Sequence, residues 1–155
     1  MDLYSVVQDK TLTDSTSNLT SDRKQLVEHV SEFLKRLSIV CADKQVKDYW
    51  DTVIDVRADG TSADISSPFG TATIRLDLLI FEAKVEGSLT IHKGIADDLG
   101  RPVSKKVAAI RVTKQGISLG KSQQYPMLGA TRLIREDKEA YQTVAALLYA
   151  IGTCE

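Results

Sequence analysis

The sequence contains few of the residues that form crosslinks or stacking surfaces. Its 155 residues include two cysteines, three prolines and one tryptophan, and aromatic residues make up 6%. Cys41 and Cys154 lie far apart and outside any C-x-x-C spacing, so two reduced thiols in a cytosolic protein are expected rather than a disulfide framework. The small number of aromatic side chains also disfavours a surface that stacks the bases of single-stranded nucleic acid.

The chain also lacks an excess of charge of one sign and a long apolar run. A net charge of −1 and a pI near 6.1 disfavour a protein dedicated to binding duplex nucleic acid, which normally carries a basic surface. No apolar segment reaches membrane-spanning length, and no signal-peptide core follows Met1, so a cytoplasmic location and no membrane partner are expected. The length is that of one domain with its own core.

The amino-terminal region is polar. Residues 8–22 are rich in Ser, Thr, Asp and Asn and show almost no apolar periodicity. Such a composition buries too little apolar surface to offset the entropy of ordering. We therefore predict a flexible polar arm over residues 1–20 and a single domain over residues 21–155.

Two amphipathic helices are predicted, one near each end of the domain. Apolar residues recur at steps of four and three over residues 21–41, with Thr20 or Ser21 as the N-cap. A second apolar stripe covers residues 136–151, and Gly152 is typical of a residue that ends a helix. The stripe of the first helix consists of Leu26, Val30, Phe33, Leu37 and Val40.

The stretch that follows the first helix has two interpretations. Residues 49–58 alternate between apolar and polar side chains, which predicts a strand, and Asp59-Gly60 then predicts a hairpin turn. The apolar residues of 46–54 also fit a helical spacing. The Asp-Gly turn favours the strand, but helix or strand stays open over residues 43–58.

The central run, residues 71–93, predicts the middle of an antiparallel sheet. Ser67-Pro68-Phe69-Gly70 indicates a turn before it, and Glu86-Gly87 is interpreted as the turn within it. The apolar face changes between Leu78 and Phe81, which implies a bulge or burial on both sides. Residues 96–106 are predicted to be an exposed loop, and a last hairpin is expected around residues 114–116. The fold class is therefore α+β, a mainly antiparallel sheet of about five or six strands with both terminal helices packed on it.

One short pattern carries a named chemistry. Glu82-Ala83-Lys84 follows an apolar strand and resembles the second half of the PD-(D/E)xK nuclease motif. The resemblance implies a metal-dependent nuclease in which Asp64 and Glu82 hold Mg²⁺ or Mn²⁺ and Lys84 polarises the attacking water or the phosphate. Without that resemblance, the same residues are an exposed ion pair at the end of a hairpin, and no metal or other cofactor is expected.

The remaining candidates are distributed rather than motif-like. Basic residues gather in the second half of the domain and could form a basic face that binds an acidic partner. The sequence favours a non-enzymatic binding or adaptor protein that acts through protein–protein contact, as a homodimer. The alternatives are the nuclease and a small-ligand or nucleotide-binding domain with its pocket between helices and sheet. The basic-face candidates are Arg101, Lys105, Lys106, Arg111 and Lys114.

Overall fold

A computed structural model describes residues 10–81, 84–118, 124–125 and 138–154 of the chain. Within these ranges there are three helices and seven strands, in the order α1-α2-β1 to β7-α3. The strands are β1 (Val53–Val56), β2 (Ser62–Ser67), β3 (Gly70–Phe81), β4 (Lys84–Ala96), β5 (Pro102–Thr113), β6 (Gly116–Ser118) and β7 (Gln124–Tyr125). The helices are α1 (Lys10–Ala42), α2 (Lys44–Trp50) and α3 (Lys138–Thr153).

The sheet is an antiparallel meander. Each strand pairs with the next one in the chain, so the strand order in the sheet is the chain order. Short connections enforce this arrangement, because antiparallel neighbours need only a turn between them. The predicted α+β class is confirmed.

The core lies between one face of the sheet and the two long helices. α1 contacts β1, β4, β5 and β6 as well as α3, so it lies across the sheet. We call the covered side of the sheet the inner face and the opposite side the outer face. The predicted apolar stripe of α1 is buried throughout, and the inner face supplies Ile54, Ala63, Ile65, Ala72, Ile74, Leu89, Ile91, Val112 and Ile117 to the same core.

Helix α1 begins earlier than predicted. It starts at Lys10, so residues 10–20, assigned to the flexible arm from their composition, are helical. Leu19 lies seven residues before Leu26 on the same stripe and is 7% exposed. Once a helix has formed, each added residue gains a hydrogen bond, and the burial of Leu19 favours its extension into polar sequence.

Residues 43–58 contain both a helix and a strand. The Asp43 side chain caps α2 by accepting a hydrogen bond from the Gln45 N–H at 3.0 Å. Asp51 adopts a left-handed conformation, φ 43°, and its N–H donates to the Lys47 carbonyl, which ends the helix. The alternation then holds from Thr52 onward, with Ile54 buried and Asp55 exposed. The favoured strand, predicted from residue 49, therefore begins only at Val53, and the helical alternative is correct only as far as Trp50.

The long hairpins differ from prediction in three places. Glu86 and Gly87 are paired within β4, so they do not form the predicted turn; β3 instead ends at Phe81, which pairs with Lys84. No register shift occurs between β3 and β4, and the bulge lies between β4 and β5, at Ile91/His92. Finally, residues 102–106 belong to β5, because cross-strand pairing overrides their polar composition.

The carboxyl end of α3 is held by the sheet. The helix includes Gly152, which was predicted to end it. Lys93 of β4 donates hydrogen bonds from Nζ to the Ile151 carbonyl at 2.7 Å and the Cys154 carbonyl at 3.2 Å. A cation at this position donates hydrogen bonds to carbonyls that lack a helical partner. It also interacts favourably with the negative end of the helix dipole.

The two cysteines are both thiols and differ in environment. Cys41 is 2% exposed, and burial raises the pKa of its thiol to about 11. At pH 8 only about one Cys41 thiol in a thousand is then ionised, and the thiolate is the reactive form.

We expect a thiol reagent to modify Cys154 quickly and Cys41 only on unfolding. Mass spectrometry at a series of reaction times measures the two rates. The Cys154→Ser protein should show no fast phase, and rapid labelling of Cys41 in that variant would contradict the burial of α1.

Candidate interaction surface

Burial on the inner face of β3 decreases steadily toward the end of the β3–β4 hairpin. Ile74 is 1% exposed, Leu78 is 38% exposed and Ile80 is 62% exposed. All of these side chains occupy inward positions, so the apolar inner face continues beyond the part that α1 covers closely. Large aliphatic side chains exposed side by side are typical of a binding surface.

At Gly87 the helix α1 lies close to the hairpin. A Cβ atom at this position would lie 2.9 Å from Leu76 Cδ1, 3.3 Å from Leu26 Cδ2 and 3.3 Å from Val112 Cβ. Leu26 belongs to α1, so the missing side chain lets the helix approach the strand. From Gly87 toward Lys84, at the end of the hairpin, the side chains are progressively more exposed.

A groove opens there between α1 and the hairpin. It has a volume of about 410 Å³, within the range of ligand-binding clefts. We call it the tip groove and define it by its lining residues, which are Leu19, Thr20, Arg23, Leu78, Leu79, Ile80 and Val85.

Among the described residues that line the tip groove, Arg23 is the only charged one. It lies on α1 one turn after Leu19 and Thr20, and it is exposed. None of the described lining residues is acidic, so they contribute positive charge to the groove. The groove therefore suits a ligand that combines aliphatic groups with a carboxylate.

The nuclease candidates are not brought together in the described residues. Asp64 lies on the outer face, where Arg57 donates to both carboxylate oxygens, at 3.1 and 2.7 Å, and holds the pKa of Asp64 below its usual value. Asp64 pairs with Thr73, whereas Lys84 pairs with Phe81, eight residues further along β3. At about 3.4 Å per residue the separation is about 27 Å. Glu82 lies outside the described residues, so its role stays a prediction.

The basic-face candidates do not share one surface. Arg101 forms an ion pair with Asp97 at 2.7 Å, and Arg111 forms one with Glu86 at 2.6 Å. Lys105 and Lys106 are consecutive in β5 and point to opposite faces. Lys114 lies in the turn before β6. Arg23, the charged residue among the described lining of the tip groove, was not among the candidates.

The histidines and the acidic loop have separate environments. His29 is 2% exposed and its Nε2 lies 2.9 Å from the Lys114 carbonyl; because a carbonyl only accepts, Nε2 carries the proton. His92 lies on the outer face. Asp97 accepts from the N–H groups of Leu99 and Arg101. Among the described residues, no three His, Cys, Asp or Glu side chains are placed to hold a metal ion.

The chain matches no protein-family model, no curated protein and no solved structure. None of the helices in the described residues is both long and apolar enough to cross a membrane.

The tip groove was not predicted from the sequence, although the unusual apolar pattern of its strand residues was noted. The change of apolar face at residues 78–81 was interpreted as a bulge or as burial on both sides, and the structure shows neither. The useful signal was the apolar character of both faces of a strand close to the end of a hairpin. Whether such residues are covered depends on the path of α1, which strand periodicity does not report.

Proposed function

We propose that the protein is a non-enzymatic binding or adaptor protein that contacts a protein partner through the tip groove. The observation that carries the proposal is the cluster of exposed aliphatic residues 78–80 beside a groove in which Arg23 is the one charged residue among those described. Apolar anchors surrounded by polar residues are typical of interfaces, and burying one aliphatic side chain contributes about 1.5–3 kcal/mol. The partner surface would present aliphatic side chains next to a carboxylate.

A peptide titration tests this proposal. The probe is a synthetic amphipathic peptide with leucines on one face and glutamates on the other, followed by methyl NMR. We expect shifts of the methyl groups of Leu19, Leu78 and Val85. A second peptide, with lysine in place of each glutamate, should bind at least about tenfold more weakly, because it meets Arg23 with like charge.

Matched variants locate the binding site. Ile80→Ser removes a groove side chain that is 62% exposed, and Val53→Ser removes one on β1 that is 53% exposed. Ile80→Ser should weaken peptide binding about tenfold or more, whereas Val53→Ser should not change it. Equal effects of the two variants would show that the peptide binds elsewhere and would contradict the proposal.

The small-ligand alternative is an outcome of the same experiment, because the groove lies between a helix and the sheet. Decanoate, an aliphatic carboxylate without a peptide backbone, serves as the probe. If decanoate shifts the groove methyl groups and the acidic peptide does not, the groove is a small-ligand site and the proposal of a protein partner is wrong.

A further inference from the structure

The β4–β5 loop holds an aliphatic side chain out in solvent. Leu99 is 76% exposed in the loop formed by residues 97–101. The Asp97 carboxylate accepts hydrogen bonds from the N–H groups of Leu99 at 2.9 Å and Arg101 at 2.8 Å, and the Arg101 guanidinium donates to it at 2.7 Å. Gly100, at φ 75°, completes the turn. The loop backbone is therefore ordered in advance, which lowers the entropy lost on binding.

The loop presents an aliphatic side chain and a carboxylate, the two groups that the tip groove is suited to bind. Asp98 immediately precedes Leu99, is exposed, and forms no ion pair with any described residue. An aliphatic side chain and a carboxylate thus stand side by side. In the tip groove, Arg23 lies among aliphatic residues in the complementary arrangement.

The positions of the loop and the groove suit a reciprocal contact. The tip groove includes Val85, near the start of β4, and the loop follows Ala96, at its end. These residues are about 37 Å apart at about 3.4 Å per residue, so one copy cannot fill its own groove. In a two-fold arrangement with the β4 strands of two copies antiparallel, each loop would lie at the same end as the other copy's groove. This two-fold arrangement forms the contact twice and closes, leaving neither surface free.

We propose that the protein forms a two-fold homodimer in which Asp98 and Leu99 of each copy occupy the tip groove of the other, with Asp98 against Arg23. The inference rests on the proposed function, because it takes the tip groove as the binding site and names a second copy of the chain as its occupant.

A charge exchange tests the contact. The variants are Arg23→Glu, Asp98→Arg and the two combined, and the measurement is sedimentation velocity over a range of protein concentrations. Each single variant should weaken dimerisation about tenfold or more, since like charges then meet at two equivalent contacts. The double variant restores opposite charges and should recover most of the lost affinity. Circular dichroism checks that these exposed substitutions leave the fold intact.

Leu99→Ser and Tyr149→Ser provide the matched pair for the aliphatic anchor. Leu99 is 76% exposed and Tyr149, on α3, is 74% exposed. Leu99→Ser should weaken dimerisation about tenfold or more, because the groove loses its apolar occupant. Tyr149→Ser should dimerise like the unsubstituted protein.

The outcomes separate the inference from the proposed function. Restoration of the dimer in the double variant supports the inference. A dimer that is insensitive to both single variants overturns it, and so does a double variant that fails to recover. If the protein is monomeric at every concentration but its groove binds the acidic peptide, the second copy is not the occupant and the proposed function stands. If the protein is monomeric and binds no peptide, both fail.

Discussion

Replacing Gly87 with valine is expected to destabilise the protein by about 2–3 kcal/mol, the upper part of the range of about 1–3 kcal/mol for an overpacked core. A Cβ atom would already lie 2.9 Å from Leu76 Cδ1. Leu76 is half-buried and could turn aside, but Val112 Cβ, at 3.3 Å, is fixed to the backbone of the neighbouring strand. The added methyl groups would have to displace α1 at Leu26. Urea unfolding monitored by circular dichroism gives the change in the free energy of unfolding.

Two further variants control this prediction. Gly94→Val places the same side chain on the same strand, where the nearest atom to a new Cβ is Thr71 Oγ1 at 3.3 Å, and should cost about 1 kcal/mol or less. Combining Gly87→Val with Leu26→Ala should cost less than the sum of the two single changes, because the clash is relieved. If Gly87→Val is as stable as the unsubstituted protein, α1 does not approach the hairpin there.

Replacing Lys93 with methionine is expected to destabilise the protein by about 2 kcal/mol, typical of a hydrogen bond from a charged group. Methionine keeps the apolar stem but leaves the Ile151 and Cys154 carbonyls without the Nζ donor. It also removes the cation at the carboxyl end of α3. Thermal unfolding gives the loss of stability, and faster alkylation of Cys154 would report that the end of the helix has loosened.

Lys106→Met is the control for this change, because Lys106 is an exposed lysine of β5 on the outer face. Its replacement should leave stability nearly unchanged, within about 0.5 kcal/mol. A Lys93→Met protein that is no less stable than Lys106→Met would show that the contacts with α3 contribute nothing measurable.

The roles of the glycines were only partly predictable from the sequence. Gly60 and Gly70 have φ values of 73° and 124°, so the turns predicted at these positions use a conformation that glycine favours. Gly87 was also interpreted as a turn residue, yet it lies in the middle of a paired strand. Its small size matters for contacts with α1 and β5, which are remote in sequence, so no local pattern could distinguish the two roles.

The sequence by itself determined the fold class. The stripes of α1 and α3, the alternation of the strands and the turns at residues 59–60 and 67–70 depend on near neighbours along the chain, and these local preferences agree with one another. Tertiary structure alone decided that residues 78–80 are exposed, that Arg23 lies beside them and that Asp64 is paired with Arg57. The physical reason is that exposure and charge pairing depend on which distant element covers a surface, and periodicity along one strand contains no information on where α1 passes over it.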